Sequence, residues 1–495
     1  MTLFNSNMIG FLINCIENNK NNIFLDINEV VTYKDILSYS KIISQKLGCI
    51  ESERIASIIS KKNALSLYAS IIGIWYSSCS VVPFSSSEKP QDILRKIKFL
   101  NIYRLIIENS SLIDIKLILN ENNYFYSVVV IDEYLSIIIL DLPIDDEGTI
   151  EYQDEVYVLN TSGTTGIPKS IPIRDHNLRS YVKAIQEIFD FDDGLRFSNS
   201  FEPNFDLFFH DLVICIVNSG VIVPVDLNSL LMNKNAFNNY HLDVWFSSPS
   251  FARVVLLTNQ VASKTIRYSL FCGEALDTSL IKEWSIICPG SVAFNLYGPT
   301  EVTISCMFHK VTEDDLQETR VPIGKPYNGV KVMIMSDGVN NHKGQLLLSG
   351  NQVFDGYCDN SYRNESFIYI NNNYWYITGD VVSIQNGIFY YHGRNDRQIK
   401  YCGKRIELDG IEWEIRNEIH NPFVFVIYEK NDRHSRGYIT VYLKESDNNI
   451  TKRDVTACQT SIPIKHVYLL LKVPLNKSHK VDYRLLHKNI KGELN

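Results

Sequence analysis

The stretch Asn160-Thr161-Ser162-Gly163-Thr164-Thr165-Gly166-Ile167-Pro168-Lys169-Ser170 constrains this chain more than any other part of it. It follows an unbroken apolar run, Val156-Tyr157-Val158-Leu159, which reads as a buried strand. It precedes a segment of helical period, Leu178 to Ile188, with Asp175 as the expected N-cap. Small residues in such a connection let the backbone approach a ligand closely and aim successive N–H groups at it. The serines and threonines add hydroxyl donors and Lys169 adds a positive charge, a combination that suits a polyphosphate. The pattern is not a Walker A loop, which places Gly directly before its Lys; here Pro168 stands there.

The rest of the chain repeats the alternation of short apolar runs and helical-period segments, which predicts an α/β architecture. Further strands are expected at Val244-Trp245-Phe246, Leu270-Phe271-Cys272, Gln345 to Ser349 and Ile388 to Tyr391. The charge-rich stretch Arg394 to Gln398 marks a domain boundary, giving a large domain over 1–395 and a small one over 396–495. With 495 residues, of which 45% are hydrophobic and 21% charged, the chain can bury a large core without disulfides or metals. A net charge of -8 and no strong basic patch argue against a nucleic-acid partner. The ten cysteines form no CxxC pair and no zinc-ligand spacing, so free thiols in a reducing compartment are expected. The N-terminus lacks the pattern of a signal peptide. The longest apolar stretch, Leu212 to Val225, is broken by Asn218, Ser219 and Gly220 and falls short of a membrane span. A cytoplasmic location follows as the expectation.

Three more stretches could carry chemistry, each with a plainer reading beside it. Asn295-Leu296-Tyr297-Gly298-Pro299-Thr300-Glu301 offers an aromatic face, a hydroxyl and a carboxylate able to hold magnesium, or is a Gly-Pro turn beside a buried Tyr. Asp380, in Tyr376-Ile377-Thr378-Gly379-Asp380, could hold ribose hydroxyls or simply make a turn. Leu475 to Asp482, with Lys480, could be catalytic or a solvated basic loop.

Taken in order and spacing, Thr161–Lys169, Tyr297–Glu301, Asp380, Arg394–Lys400 and Lys480 resemble the adenylate-forming enzyme superfamily. That superfamily holds acyl-CoA synthetases, luciferases and the adenylation domains of nonribosomal peptide synthetases. The resemblance runs from Val31-Thr32-Tyr33 to Val481-Asp482. Within it the chain looks most like amino-acid-activating members, above all the stand-alone D-alanine–carrier protein ligases. Phe205-Asp206-Leu207 with Asp211-Leu212, Val244-Trp245 with Ser247 to Phe251, and Phe271-Cys272-Gly273-Glu274 carry that likeness.

The resemblance implies a large multi-subdomain N-terminal domain of α/β sheets flanked by helices, plus a small α+β C-terminal domain on a hinge at Asp396. It also implies roles. Thr161, Ser162, Gly163, Thr164, Thr165, Gly166 and Lys169 would hold the β- and γ-phosphates of ATP. Gly273 and Glu274 would border the nucleotide, Tyr297 would stack on adenine and Asn295 would bond its amino group. Thr300 would contact the α-phosphate and Glu301 would bind Mg2+. Asp380 would hold the ribose, supported by Arg394. Lys480 would bridge the substrate carboxylate and the α-phosphate, and Asp206 would pair with the substrate's α-ammonium. The family pattern is broken at Ser170, Cys402 and His479, none of which removes a catalytic side chain.

Projection of the peptide-synthetase specificity positions gives Asp206, Leu207, His210, Phe246, Leu270, Cys272, Leu296, Ile304, Ser305 and Lys480. A buried Asp206 calls for a charged partner, which an amino acid supplies and a fatty or aryl acid does not. Phe246, Leu270 and Leu296 would fill the space of a long side chain, favouring alanine, serine, cysteine or glycine. His210 is either a packed wall residue or a polar contact to a substrate hydroxyl or thiol. No carrier-protein or condensation motif is visible, so the expected acceptor is the phosphopantetheine thiol of a separate carrier protein. Two other classes stay open on sequence alone: an acyl-CoA ligase or other carboxylate-activating enzyme, and a non-catalytic ATP-binding module.

Overall fold

A computed structural model describes residues 6–26, 30–49, 52–141, 154–161, 169–336, 342–359, 366–394, 398–401, 404–429, 438–444, 452–458, 460, 462–476 and 480–490. The chain forms two compact units, one of residues 1–331 and 348–376, the other of 332–347 and 377–495. The expected small domain, 396–495, falls inside the second unit.

Among the described residues the first unit is built on two sheets. The seven-stranded sheet runs, in spatial order, Phe125–Val130, Leu135–Asp141, Arg104–Glu108, Arg54–Ile58, Ser80–Phe84, Glu155–Thr161 and Lys169–Arg174. Its centre is parallel and both edges are antiparallel. The expected apolar run 156–159 is the buried middle of the strand Glu155–Thr161, which pairs with Lys169–Arg174 from Glu155↔Arg174 to Thr161↔Lys169. The polyphosphate-loop candidate thus connects two adjacent antiparallel strands, and Ser162 to Pro168 lie outside the described residues. Glu155 opens that strand with a two-pronged ion pair to Arg54, both bonds at 2.8 Å, which fastens it to the sheet's interior.

The nine-stranded sheet runs Lys325–Pro326, Met307–Lys310, Val292–Tyr297, Tyr268–Cys272, Val244–Ser247, Arg196–Asn199, Val221–Pro224, Ile23–Asp26 and Val30–Thr32. From Val292–Tyr297 to Ile23–Asp26 its strands are parallel, so their C-terminal ends share one edge. One face carries Trp245 and Phe271, packed with Phe237 and Trp284 in a dense aromatic core. The other face carries Phe246, Leu270, Cys272 and Leu296, because Phe246 pairs with Leu270 and Cys272 with Leu296 across the ladders.

The helix Asp206–Val217 lies between the two sheets. Phe209 stacks on Tyr157 of the seven-stranded sheet, ring centroids 4.0 Å apart. His210 meets Phe246 of the nine-stranded sheet at 4.4 Å. A helix covered on both sides should be apolar all round rather than amphipathic, and every residue from Asp206 to Ile216 is buried. This explains the long apolar stretch: it is the second half of a core helix, a turn at Asn218 to Gly220, and the strand Val221–Pro224. Among the described residues no helix is long and apolar enough to cross a membrane. One local expectation is corrected. The helix predicted from Leu178 begins at Asp175, which is its first residue and not its cap. Asn177 does the capping, its side chain accepting the Arg174 N–H at 2.9 Å.

The second unit contains a three-stranded sheet, Val424–Glu429 antiparallel to Tyr438–Lys444, which is parallel to Ile464–Leu470. The helix Leu408–Glu418 supplies Leu408, Ile411 and Ile415 to a core with Val424, Val426 and Val441. Leu486, from the helix Tyr483–Ile490, covers the opposite face beside Phe425 and Tyr442. This is an α+β arrangement, as the sequence predicts.

Candidate active site

The parallel strands of the nine-stranded sheet deliver the candidate residues at one edge. Asn295 and Tyr297 come from the end of Val292–Tyr297, Cys272 from the end of Tyr268–Cys272, and Phe246 from the end of Val244–Ser247. In open α/β sheets ligands bind at the carboxyl ends of strands. Asn295 is 2% exposed, and its Nδ2 donates to the carbonyls of Val321 (3.3 Å) and Pro322 (2.8 Å). That fixes the amide's direction and turns its acceptor oxygen to the other side. Gly273 follows with φ of +90°, a conformation that favours glycine. Glu274 is held by the neighbouring helix Pro249–Leu256, accepting from both the N–H and the hydroxyl of Ser250.

From Tyr297 the chain turns back on itself. Gly298 is required there, because a Cβ at this position would lie 2.5 Å from Ser305 Cα. Thr300–Val302 form a single 3-10 turn, and Thr303 and Ile304 follow with φ of +55° and +71°. Two consecutive β-branched residues in the left-handed region are strained. Gln352 holds them. Its Nε2 donates to the carbonyls of Val302 (2.9 Å), Thr303 (3.3 Å) and Ser305, while the Gln352 backbone carbonyl accepts the Thr303 hydroxyl at 2.7 Å. Gln352→Leu keeps the volume and removes those donors. The expected result is a loss of about 1–3 kcal/mol of stability, the cost of leaving buried acceptors unpaired, read by denaturant unfolding. An unchanged unfolding midpoint would refute the clamp.

Thr300 and Glu301 are both half-buried at the start of this turn. Glu301 accepts the Tyr357 hydroxyl at 2.7 Å, and Lys169 Nζ sits 5.0 Å above the same ring. Tyr357 therefore joins two motifs that lie far apart in sequence, and nothing in its local sequence marked it out. Burial and the adjacent Glu301 carboxylate keep its hydroxyl protonated, well above the usual tyrosine range. Among the described residues no cluster of three His, Cys, Asp or Glu could hold a metal alone. A magnesium ion does not need one, since it is normally held by one or two carboxylates together with substrate phosphates. Glu301, with one oxygen engaged by Tyr357, is a donor of that kind.

The second group of candidates faces the helix Asp206–Val217. Asp206 is its first helical residue and is 4% exposed. His210 stands four residues on, which puts it on the same helix face one turn deeper. Asp211 falls on another side, where it accepts from Asn199 at 3.1 Å. Leu207, Phe246, Leu270, Cys272, Leu296, Ile304 and Ser305 are all buried. His210 is fully buried, and desolvation lowers its pKa to about 3, so the ring is neutral. Its Nδ1 hydrogen-bonds the Tyr181 hydroxyl. Nearby, Ser305 Oγ lies 2.7 Å from the Tyr327 hydroxyl, and the Tyr181 and Tyr327 rings lie 6.4 Å apart. Sequence reading found His210 and Ser305 but missed Tyr181 and Tyr327, which belong to no motif.

Three candidates lie in the second unit. Asp380 is 5% exposed, and its N–H donates to Thr378 Oγ1 at 3.0 Å. Arg394 stands directly opposite Asp380 in the backbone ladder between Asn373–Gln385 and Ile388–Arg394, and its side chain lies outside the described residues. Lys480 sits in a tight return of the chain, with its N–H donating to Asn476 Oδ1 at 3.0 Å and its carbonyl accepting the Asn476 N–H at 2.7 Å. Ser162, Gly163, Thr164, Thr165, Gly166, Asp396, Cys402 and His479 lie outside the described residues, as does the side chain of Thr161.

Comparison with known proteins places this geometry. Residues 16–358 match the family model described as AMP-binding enzyme. The chain is 34% identical over 376 residues to the D-alanine–D-alanyl carrier protein ligase of Listeria welshimeri, an alignment covering 70% of this chain and 72% of that one. For other Listeria ligases of the same name the alignment spans 55% of their length. Among solved structures, IdnL7 superposes with a TM-score of 0.82 at 21% identity, covering 99% of this chain and 100% of that one. The Vibrio cholerae adenylation domain AlmE, solved with glycyl-adenosine-5'-phosphate, gives 0.69 at 20% identity over 99% of both chains. At these identities the superpositions establish the fold.

Proposed function

The chain belongs to the AMP-binding enzyme family, and from that premise we propose that it activates a small amino acid with ATP as an aminoacyl-adenylate, releasing pyrophosphate, and passes the aminoacyl group to the phosphopantetheine thiol of a separate carrier protein. One observation carries the amino-acid reading: Asp206, a carboxylate 4% exposed, opens a buried helix whose same face carries His210, packed against Phe246 of the neighbouring strand. A carboxylate in such a place is matched by an ammonium and mismatched by a fatty or aryl acid. The naming of the Listeria welshimeri relative agrees with this choice.

In the proposed reaction the Thr161–Lys169 loop holds the β- and γ-phosphates, Tyr297 stacks on adenine and the Asn295 acceptor takes the adenine amino group. Asp380 binds the ribose with Arg394 behind it, and Thr300 contacts the α-phosphate. Glu301 holds a magnesium ion, which supplies charge neutralisation at the phosphates when bound. Phe246, Leu270 and Leu296 limit the side chain to a small one. The substrate carboxylate then attacks the α-phosphorus, bringing two anions together. Lys480, delivered by rotation of the C-terminal part about Asp396, offsets that repulsion and the charge that grows in the transition state. A cytoplasmic location suits an enzyme that uses ATP.

The test is ATP–pyrophosphate exchange over a panel of L- and D-amino acids, followed by loading of a phosphopantetheinylated carrier protein. Exchange with one small amino acid and transfer to the carrier is the expected result. Exchange only with acids that lack an amine, with transfer to coenzyme A, would overturn the amino-acid reading. ATP binding with no exchange at all would mark a non-catalytic module.

A further inference from the structure

We propose that the amino-acid pocket ends in a hydrogen-bonding position, His210 Nε2, built for a substrate with a β-hydroxyl or the more weakly bonding β-thiol, so that serine- or cysteine-like amino acids are preferred over alanine and glycine. This rests on the reading of the chain as an amino-acid-adenylating enzyme with Asp206 at the α-ammonium.

The orphaned atom is the starting point. His210 Nε2 is buried and has no hydrogen-bond partner among the described residues. Buried polar atoms are nearly always paired, and one that is not calls for a reason. The ring cannot turn to find a partner freely. Its Nδ1 is engaged by Tyr181, its ring is packed at 4.4 Å from Phe246, and Tyr181 is itself fully buried with its ring 6.4 Å from that of Tyr327. Tyr181 is a positioning residue: its bond to Nδ1 sets the tautomer, so Nε2 is a donor where the Tyr181 hydroxyl donates and an acceptor where Nδ1–H does, and a substrate hydroxyl can meet either. Burial holds both groups neutral, lowering the histidine and raising the tyrosine.

The location fits a substrate atom. Asp206 and His210 are one turn apart on one helix face, with Cβ atoms roughly 6 Å from each other. A ligand that meets Asp206 with its α-nitrogen presents its β-substituent to His210. The other pocket candidates on the facing strands, Phe246, Leu270, Leu296 and Cys272, are buried, and of these only the Cys272 thiol, a weak donor, is not a hydrocarbon. An alanine methyl would leave Nε2 unpaired in an environment without water, whereas a hydroxyl would pair it. A site made to bond a substrate hydroxyl rejects the analogue that lacks it more strongly than an apolar pocket rejects a missing methylene. A charged side chain is disfavoured, because Tyr181, Ser305, Tyr327 and the neutral His210 offer no counter-charge.

The decisive comparison is between isosteres in ATP–pyrophosphate exchange on the full chain: serine and cysteine against 2-aminobutyrate, which replaces the heteroatom by a methyl group, with alanine and glycine alongside and both enantiomers of each. Serine or cysteine should exceed 2-aminobutyrate in kcat/KM by about tenfold or more. His210→Leu should bring that ratio close to one, and Tyr181→Phe should lower it in the same direction. Thermal unfolding checks that each variant folds, and if His210→Leu does not, the wild-type ratio and Tyr181→Phe decide. Equal or better use of 2-aminobutyrate or alanine by the wild type, or a ratio that survives both substitutions, would mean that Nε2 does not read the substrate's side chain and would overturn the proposal. No exchange with any amino acid would instead defeat the underlying enzymatic reading.

Discussion

Lys480→Ala should lower the rate of adenylate formation roughly 100- to 1000-fold, the usual cost of removing a group that stabilises transition-state charge. The reason is electrostatic. Carboxylate attack on a phosphoanhydride joins two anions, and a cation held at the bridging oxygens gains strength as negative charge accumulates there. The bonds that fix the backbone at this position do not involve the ammonium. Asn476 brackets position 480 through the backbone N–H and carbonyl, and Leu475 pairs with Val481 across the return. Truncation at Cβ leaves those bonds in place, so the variant should fold. Single-turnover formation of the adenylate from saturating ATP and amino acid isolates the step. Transfer from a supplied adenylate to the carrier protein should suffer much less, because the phosphoanhydride chemistry has already occurred. A rate within threefold of wild type would remove Lys480 from the reaction.

The sequence carried the sheet strands well, because 156–159, 244–246 and 270–272 are continuous apolar runs of the kind that parallel, doubly covered strands require. It also marked a turn at Gly298-Pro299, while the strand Val292–Tyr297 that leads into it was not among the expected ones. It did not carry what depends on residues meeting from distant segments. Tyr357 bridges Lys169 and Glu301 from a loop that looks ordinary, and Gln352 braces Thr303 and Ile304 through backbone carbonyls that no side-chain pattern encodes. Tyr181 had the profile of a core residue at helical spacing, which it also is, and its bond to His210 comes from the crossing of two helices. His210 itself was readable in both senses on sequence. The fixed Nδ1 and unpaired Nε2 separate them, and that distinction is one of hydrogen-bond geometry.

Asp206→Ala should cost the amino acid roughly 2–5 kcal/mol of recognition, the range seen when one partner of a buried charge pair is removed, or about 30-fold to several thousandfold in kcat/KM. Most of the loss should appear in the KM for the amino acid and little in that for ATP. The diagnostic reading is discrimination rather than rate. Wild type should reject the corresponding acid without its amine, because that acid brings no counter-charge to the buried Asp206 carboxylate. Asp206→Ala should lose that discrimination, the amino acid falling toward the desamino acid, since neither finds a counter-charge. Asp206→Asn should behave much like the alanine variant if charge is what matters, and much like wild type if a hydrogen bond suffices. The substitution should be modest in its effect on folding. An acidic residue in the first turn of a helix contributes only about 0.3–1 kcal/mol through the helix dipole, while the helix is held mainly by the rings of Phe208 and Phe209 against Tyr68 and Tyr157. Undiminished discrimination in the alanine variant would move the ammonium site elsewhere, and with it the assignment of His210 to the substrate's side chain.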